Sequence, residues 1–550
     1  MKKYLTEKVT EVLTSLGYLG QATLVFEKPK VEAHGDLTTN VAMTLAKSLK
    51  KNPRAVAQEI IAALKLEPEY VSKVEIAGPG FINFTFTDRF FTRQLASLLA
   101  QGAAFGKSAI GAGKKTQVEF VSANPTGPLS VGHGRQAAIG DTIANLLQWT
   151  GHDVTREYYY NNAGRQMRML AESTYARYQQ LFDPAYPFPE EGYQGEYIRE
   201  IAEALRAQKA ETLRTQEKES ALEICKTFAE QHLFEEIKKV LARMGVKLDV
   251  FYNEDSLYSS GKIQEVIQEF RAKGLAYDLD GAVWFKTTEF GSDKDRVIVK
   301  STGEPTYRLP DIAYHREKFK RGFELIVDVF GADHIATIPD VLAGVKALGY
   351  DPGKVKVVIH QFVTLLKDGQ QVKMSKRAGN FVTLDELIDE AGSDAVRFFF
   401  LMRSISSHLE FDVNLAKEQS ENNPVYYLQY AHARIASILR FAEGEGTLKQ
   451  IQDIDSVRFE LLKEPAEIAL VKLLLELPDT VERTCMNFEP HHVPAYLRDV
   501  ATAFHRFYHD HRVVIEDKEL SHARLALCLA TKTVLANGFA LLGISAPERM

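Results

Sequence analysis

The chain has 550 residues, a formal net charge of −6, 45% hydrophobic and 25% charged residues. That is long enough for about two to four domains with cores of their own, and the composition is that of a folded globular protein, not a disordered or fibrous one. The mild acidity excludes a globally basic nucleic-acid binder while leaving room for a local basic face, and the widely separated Cys225, Cys485 and Cys528 show neither a disulfide framework nor metal-type spacing.

In chain order, Met1-Lys2-Lys3-Tyr4 leads into a mixed amphipathic stretch, not an apolar signal core. Helical spacing runs over Leu5 to Leu16. Thr23 to Glu27 reads as a short strand ending before Pro29. Leu37 to Leu49 and Pro53 to Leu64 read as two helices, the second with proline in its first turn. Val74 to Phe86 reads as strand, Gly78-Pro79-Gly80 turn, strand, with Ile82, Phe84 and Phe86 alternating against Asn83 and Thr85. These elements predict an N-terminal α+β domain over 1–110, closed by a linker from Gly102 to Lys115.

Gln117 to Val121 is a predicted strand, Gly134 to Gln148 a helix and Val154 to Tyr160 the next strand, which together make a βαβ unit. Ala171 to Val246 is charged and helical, and reads as an insertion. Strand patterns return at Ala282 to Phe285, Val297 to Lys300, Leu325 to Val329 and Val355 to Phe362. A parallel-sheet α/β domain interrupted by a helical insert fits this order over 111–410. From Leu384 the pattern is almost wholly helical, and 411–550 is expected to be an all-helical domain. No uninterrupted apolar run approaches the length of a membrane span. A cytoplasmic protein with structural thiols and no membrane or DNA partner is expected.

Two segments carry chemistry. Pro128-Leu129-Ser130-Val131-Gly132-His133-Gly134-Arg135 lies at the first crossover. Gly132 and Gly134 let a nucleotide approach the backbone, the following helix offers its N-terminal amides to phosphate, and His133 can donate to phosphate oxygens. A glycine turn with a capping histidine explains the same residues without function. Lys373-Met374-Ser375-Lys376-Arg377 sits between Lys367-Asp368-Gly369 and Ala378-Gly379-Asn380. Its ammonium groups can close on a triphosphate and balance charge as pyrophosphate leaves. A solvated basic turn is the alternative.

Together, in this order and in a βαβ context, the two segments resemble the paired motifs of class I aminoacyl-tRNA synthetases. KMSKR is met in full. The first motif departs from its usual form, with Ser130 where the family has a first histidine. Over nearly the whole chain the resemblance narrows to the arginyl-tRNA synthetases, through Glu119 to Leu129, Tyr159-Tyr160-Asn161-Asn162-Ala163-Gly164, Asp293 to Arg296, Thr306 to His315, and Ser545 to Met550.

The resemblance implies a multidomain α/β protein: an N-terminal domain touching the outer corner of tRNA, a Rossmann-type catalytic domain with an insertion at about 171–246, and a helical anticodon-binding domain. It implies activation of L-arginine by ATP, with Mg2+ accompanying ATP and no structural metal, then transfer to the 3′ end of tRNA by a monomer that activates arginine only with tRNA bound. Catalysis would fall to Ser130, His133, Lys373, Ser375 and Lys376. ATP would contact Pro128, Gly132, His133, Gly134, Asp333, His334 and Met374. Arginine would contact Glu119, Ser122, Asn124, Tyr307 and Asp311.

A planar, permanently charged guanidinium is best met by carboxylate. Tyr307 and Asp311, four apart, share a face if their segment is helical. A helix-terminal aspartate and a core aromatic are the structural alternatives, and Asp280 is a weaker second carboxylate with a turn role as its alternative. Asp333, after a strand end, can hold the ribose. Asn161, Asn162 and Gln166 are expected on the site floor. Lys47, Lys50, Lys51 and Arg54 are candidate phosphate contacts. The aromatics from Tyr426 to Tyr430 can stack on bases or pack in a core. A synthetase for another amino acid and a non-catalytic tRNA-binding paralogue, the latter supported by Ser130 alone, are the rival readings.

Overall fold

The computed structural model describes residues 1–29, 31–372, 382–446 and 454–550. Contacts divide it into two compact units, one of residues 1–105, 434–477 and 502–534, the other of 106–433, 478–501 and 535–550.

In the first unit, strands Leu37–Thr39, Phe81–Phe86 and Val71–Ala77 form an antiparallel sheet in that spatial order. Helices Lys2–Ser15, Val41–Leu49 and Pro53–Ala63 accompany it. Two sequence expectations change here. Thr23 to Glu27 is not a strand; only Glu27 makes a bridge, to Thr38. Leu37–Thr39 is a strand, not the first turn of a helix, because it pairs with Ile82 to Phe84. Asn52 caps its helix by accepting from the Arg54 amide at 2.9 Å, with Pro53 following. Tyr4, Tyr70, Phe86, Phe90 and Phe91 form an aromatic cluster.

The second unit is built on a five-stranded parallel sheet. Its order is Val355–His360, Leu325–Gly331, Lys115–Glu119, Asp153–Tyr160, Val250–Asn253. The Lys115–Glu119 strand is central, and the chain leaves it first to one side and later to the other. The switch point therefore lies between it and Leu325–Gly331, where ligands of open α/β sheets bind. Helix Val131–Trp149 follows the central strand, and Arg308–Lys320 precedes Leu325–Gly331. The expected insertion is helical: Gly164–Gln180, Glu196–Lys209 and Lys218–Arg243.

Two further expectations are corrected. Ala282–Phe285 and Arg296–Val299 are not in the parallel sheet; with Ala276–Leu279 they form a separate antiparallel one. The region after Leu384 contains a strand, Leu409–Asp412, which pairs in parallel with Val363–Lys367. Helix Lys518–Leu542 is long and apolar enough to cross a membrane by length and composition, with mean hydropathy 1.7; 72% of that window is buried within the protein, as in a core helix.

Gly140 lets helix Val131–Trp149 lie directly on Phe120: a Cβ there would sit 2.3 Å from the ring. Gly140→Ala is therefore expected to lower stability by about 1–3 kcal/mol, the usual range for overpacking. Denaturant unfolding of both proteins checks this, and an unchanged midpoint would show that the helix can shift.

Candidate active site

The central strand ends at Glu119, whose register partners on the neighbouring strands are Asp328 on one side and Glu157 on the other. All three carboxylates are buried. Register partners in a parallel sheet face the same way, so three like charges stand in a row, and helix Arg308–Lys320 and the residue after it supply the cations. Lys318 Nζ donates to Glu119 Oε2 and Asp328 Oδ1, each at 2.6 Å. Arg321 meets Glu157 with two bonds, 2.5 and 2.8 Å, and Tyr314 also donates to Glu157. His315 Nε2 lies 2.9 Å from Asp328 Oδ2 and its Nδ1 2.7 Å from the Asp311 carbonyl. Burial pushes the Glu119 carboxyl up and Asp328 adds to this, while Lys318 opposes. Asp328 is held below the usual carboxylate range: burial acts against it, but Lys318 and His315 prevail.

Beyond Glu119 the backbone turns sharply. Val121 and Ser122 have φ of 70° and 43°, a left-handed conformation that is costly for a β-branched residue. The turn lets the Ser122 hydroxyl donate to Glu119 Oε1 at 2.9 Å and accept from the Tyr159 amide at 3.2 Å. Asn124 accepts from the Asn161 amide at 3.0 Å and donates to Gln166 at 3.0 Å, so these three residues form one wall. Asn162 donates to Glu230.

Two carboxylates here have no described cation. Asp311 lies in the first turn of its helix, and its carboxyl is pushed up to about 7 by burial, reinforced by the charges of Glu119 and Glu254. Glu254 follows the last residue of Val250–Asn253 and accepts from Tyr159 at 2.7 Å, Asn161 at 2.8 Å and Tyr258 at 3.3 Å. Burial raises its pKa as well. Sequence reasoning missed Glu254, although residues just past the carboxyl ends of parallel strands are where such sites are built. It also missed Lys318 and His315, whose partners are far away in sequence. Asp280, the sequence candidate for a second carboxylate, is at the tip of a hairpin with φ 51°. Tyr307 is the N-cap of the Arg308–Lys320 helix, and it is 86% exposed, not a half-buried core aromatic.

At the switch point, Ser130 is the N-cap of helix Val131–Trp149. Its amide donates to His133 Nδ1 at 3.1 Å, and its hydroxyl lies 3.2 Å from the same nitrogen. Nδ1 is thus an acceptor and Nε2 carries the proton. A Cβ on Gly132 would meet only Ser130 Oγ, at 3.8 Å, whereas Gly134 is glycine for packing: a Cβ would lie 2.5 Å from Leu384 and 2.9 Å from Phe400. Pro128 is half-buried. Asp333 and His334 are exposed on the short turn after Leu325–Gly331, 3.6 Å apart. Lys373, Met374, Ser375, Lys376 and Arg377 lie outside the described residues. The segment that holds them is flanked by the Val363–Lys367 and Gln370–Gln371 hairpin and by Thr383, which bridges to Ser130.

Among the candidate phosphate contacts, Lys51 is engaged by Glu59 at 2.7 Å and Tyr18 at 3.2 Å, and Arg54 by the Gly78 carbonyl. Tyr426, Tyr427 and Tyr430 are half-buried on helix Pro424–Gly444.

Residues 94–402 match the family model described as tRNA synthetases class I (R), catalytic domain. Residues 3–86 match the arginyl tRNA synthetase N-terminal domain, and 428–550 the DALR anticodon binding domain. The sheet with its switch-point helix is accordingly a class I aminoacyl-tRNA synthetase core. Similarity extends along the chain: 53% identity over 531 residues to the arginine–tRNA ligase of Desulfotalea psychrophila, covering 96% of this chain and 95% of that one, and 49% over 569 residues to that of Salinibacter ruber, covering all of both. The Thermus thermophilus arginyl-tRNA synthetase structure, 22% identical, shares the fold with a TM-score of 0.76 over 100% of both chains. The chain belongs to the arginyl-tRNA synthetase family, whose activity, the ATP-dependent joining of arginine to tRNA, is its own.

Asp311 yields a stability prediction. A carboxyl with a raised folded pKa binds its proton more tightly in the native state. Its contribution is fully present below the unfolded pKa near 4 and is lost as pH rises through about 7. Asp311→Asn should therefore stabilise the ligand-free protein at pH 8, by roughly 1–2 kcal/mol given its partial exposure, and not at pH 4. Thermal melts at the two pH values check this.

Proposed function

We propose that Asp311 and Glu254 together receive the guanidinium of arginine. The observation that carries this is the pairing of the acids: Glu119, Asp328 and Glu157 are each engaged by Lys318, His315 or Arg321, whereas half-buried Asp311 and buried Glu254 have no described cation. A guanidinium suits them because it donates in a fork and never loses its charge. Tyr307, exposed at the same helix end, packs over the bound side chain. Ser122, Asn124 and Glu119 orient the α-amino and carboxylate end, Glu119 and Ser122 acting through the shape of the strand-end turn.

The arginine carboxylate attacks the α-phosphorus of ATP, and pyrophosphate leaves with its electron pair. A terminal ribose hydroxyl of tRNA then attacks the adenylate carbonyl, and AMP leaves. Catalysis is positioning and charge stabilisation. His133 Nε2–H donates to phosphate oxygens, and the helix N-terminus at Ser130, Val131 and Gly132 adds its dipole. Lys373, Ser375 and Lys376, with Met374 against the nucleotide, act on the leaving pyrophosphate. Asp333 holds the ribose, with His334 and Pro128 beside it. Magnesium enters as part of MgATP. The one described group of three possible metal ligands, Glu489, His491 and His492, lies on the approach to helix His492–Asp510 and not at the strand ends. A tRNA requirement for activation, a monomeric state, a cytoplasmic location and domain limits at 110 and 410 belong to the same proposal. The buried state of all three cysteines supports a structural role for the thiols.

ATP–pyrophosphate exchange with each amino acid, with and without tRNA, is the test. Exchange is expected with arginine alone and only when tRNA is present; exchange with a different amino acid would overturn the pocket assignment. Asp311→Asn and Glu254→Gln should each lower kcat/KM for arginine on the order of 100-fold with little change in KM for ATP, since each leaves a buried donor–acceptor set unmatched. Because arginine keeps its charge, affinity in the wild type should also weaken as pH falls below about 7, and Asp311→Asn should remove that dependence. Ser130→His should change exchange less than about tenfold, because serine already performs the capping role.

A further inference from the structure

We infer that His360 reads the nucleotide: its Nε2 accepts a hydrogen bond from a donor on the adenosine part of ATP. The inference rests on the activity proposed above and adds a residue to the same site.

His360 ends the strand Val355–His360 and is the register partner of Gly331, which ends Leu325–Gly331. Both residues therefore stand at the carboxyl edge of the sheet beside the switch point, on the side that carries Asp333. His360 is only 7% exposed. Among the described residues its Nε2 has no hydrogen-bond partner. A buried polar atom left unmatched costs roughly 1–3 kcal/mol, which suits a site completed by a ligand.

The other ring nitrogen defines what that ligand must offer. His360 Nδ1 lies 3.2 Å from the Gln361 carbonyl. A carbonyl only accepts, so Nδ1 bears the proton and Nε2 of the neutral ring is an acceptor. Arg135 secures this state. It is fully buried two residues after His133, and its NH1 donates to the same Gln361 carbonyl at 2.7 Å. Its two other described hydrogen bonds go to the carbonyls of Ser404 and Ser407, both at 3.1 Å. Burial, together with this guanidinium charge, keeps the imidazole below its ordinary pKa.

A glycine stands beside Nε2. A Cβ on Gly331 would stand 3.9 Å from Nε2 and 2.5 Å from Asp333 Oδ1. The imidazole Nε2, the Gly331 backbone and the Asp333 carboxylate thus lie close together and form an acceptor-lined corner. Adenosine carries two kinds of donor that fit it, the 6-amino group and the ribose hydroxyls. Guanine and hypoxanthine present a carbonyl at the amino position and would meet an acceptor with an acceptor.

The test is ATP–pyrophosphate exchange by the full-length protein with arginine and tRNA. ATP is compared with 2′-deoxyATP, 3′-deoxyATP and the triphosphate of purine riboside, which lacks the 6-amino group. The wild type should favour ATP by tenfold or more over one of these analogues. His360→Phe should lower kcat/KM for ATP by about 10- to 100-fold, mainly through KM, and the loss should vanish for the analogue that lacks the donor. His360→Gln, whose amide oxygen can accept, should recover part of it, and KM for arginine should not move. Loss of discrimination against purine riboside triphosphate places the base at His360, and loss against a deoxy analogue places the ribose there. A wild type indifferent to all three analogues, or an equal loss on every nucleotide, overturns the inference. Absence of arginine-dependent exchange in the wild type would instead sink the activity, so the two failures are distinguishable.

Discussion

Three carboxylates in register across the middle of a parallel sheet are an unfavourable arrangement unless something answers them. Here Asp328, Glu119 and Glu157 are answered by one helix and its end, through His315, Lys318 and Arg321. Removing Lys318 or Arg321 would leave a buried uncompensated charge, a loss of several kcal/mol. The requirement fixes where the Arg308–Lys320 helix lies over the sheet and how it is rotated. Asp311 then has no freedom: it is one turn before His315, whose ring grips the Asp311 carbonyl. The placement of the proposed guanidinium acceptor follows from charge balance in the core, and the excess negative charge of the pocket remains because every cation of that helix face is already engaged.

The same logic explains how Ser130 serves its position. The position is a helix N-cap, for which serine is among the preferred residues. Its amide and hydroxyl both approach His133 Nδ1. An imidazole so held has its remaining proton on Nε2, which is the donor that a phosphate needs. Serine gives up a possible charge at the site but orients the histidine that remains.

Much of this was legible in the residues. The crossover motif, the buried strands at 325 and 355 and the helical insert all came from local pattern, since hydrophobic runs and glycine turns are short-range signals. What was not legible depended on partners. Leu37–Thr39 has residues compatible with a helix and became a strand because Phe84 and its neighbours offered an edge. Ala282–Phe285 looks like any buried strand, and nothing within it says that it pairs antiparallel in a second sheet. Glu254, Lys318 and His360 are ordinary charged or polar residues in the sequence. They become candidates for the site only when strands and helices far apart in the chain bring their ends to one edge. Asp280, conversely, has the right side chain and the wrong place, a hairpin tip that its Asp-Gly pair predicts.

The anchors of the lysine-bearing segment tie its behaviour to the same edge. After it, Thr383 bridges to Ser130, the Leu384 amide donates to the Leu129 carbonyl at 2.8 Å, and Thr383 caps the next helix with Glu386 in return. Before it, Val363–Lys367 follows directly on the Gln361 carbonyl that Arg135 holds. Gly134 completes the join, because only glycine lets helix Val131–Trp149 meet Leu384 so closely. Both approaches to the segment are therefore fastened to the first turn of the helix that carries His133, through residues adjacent to that histidine. The two motifs lie some 240 residues apart in the sequence, yet the described residues on both flanks of the second are bonded to the Ser130 to Arg135 stretch of the first.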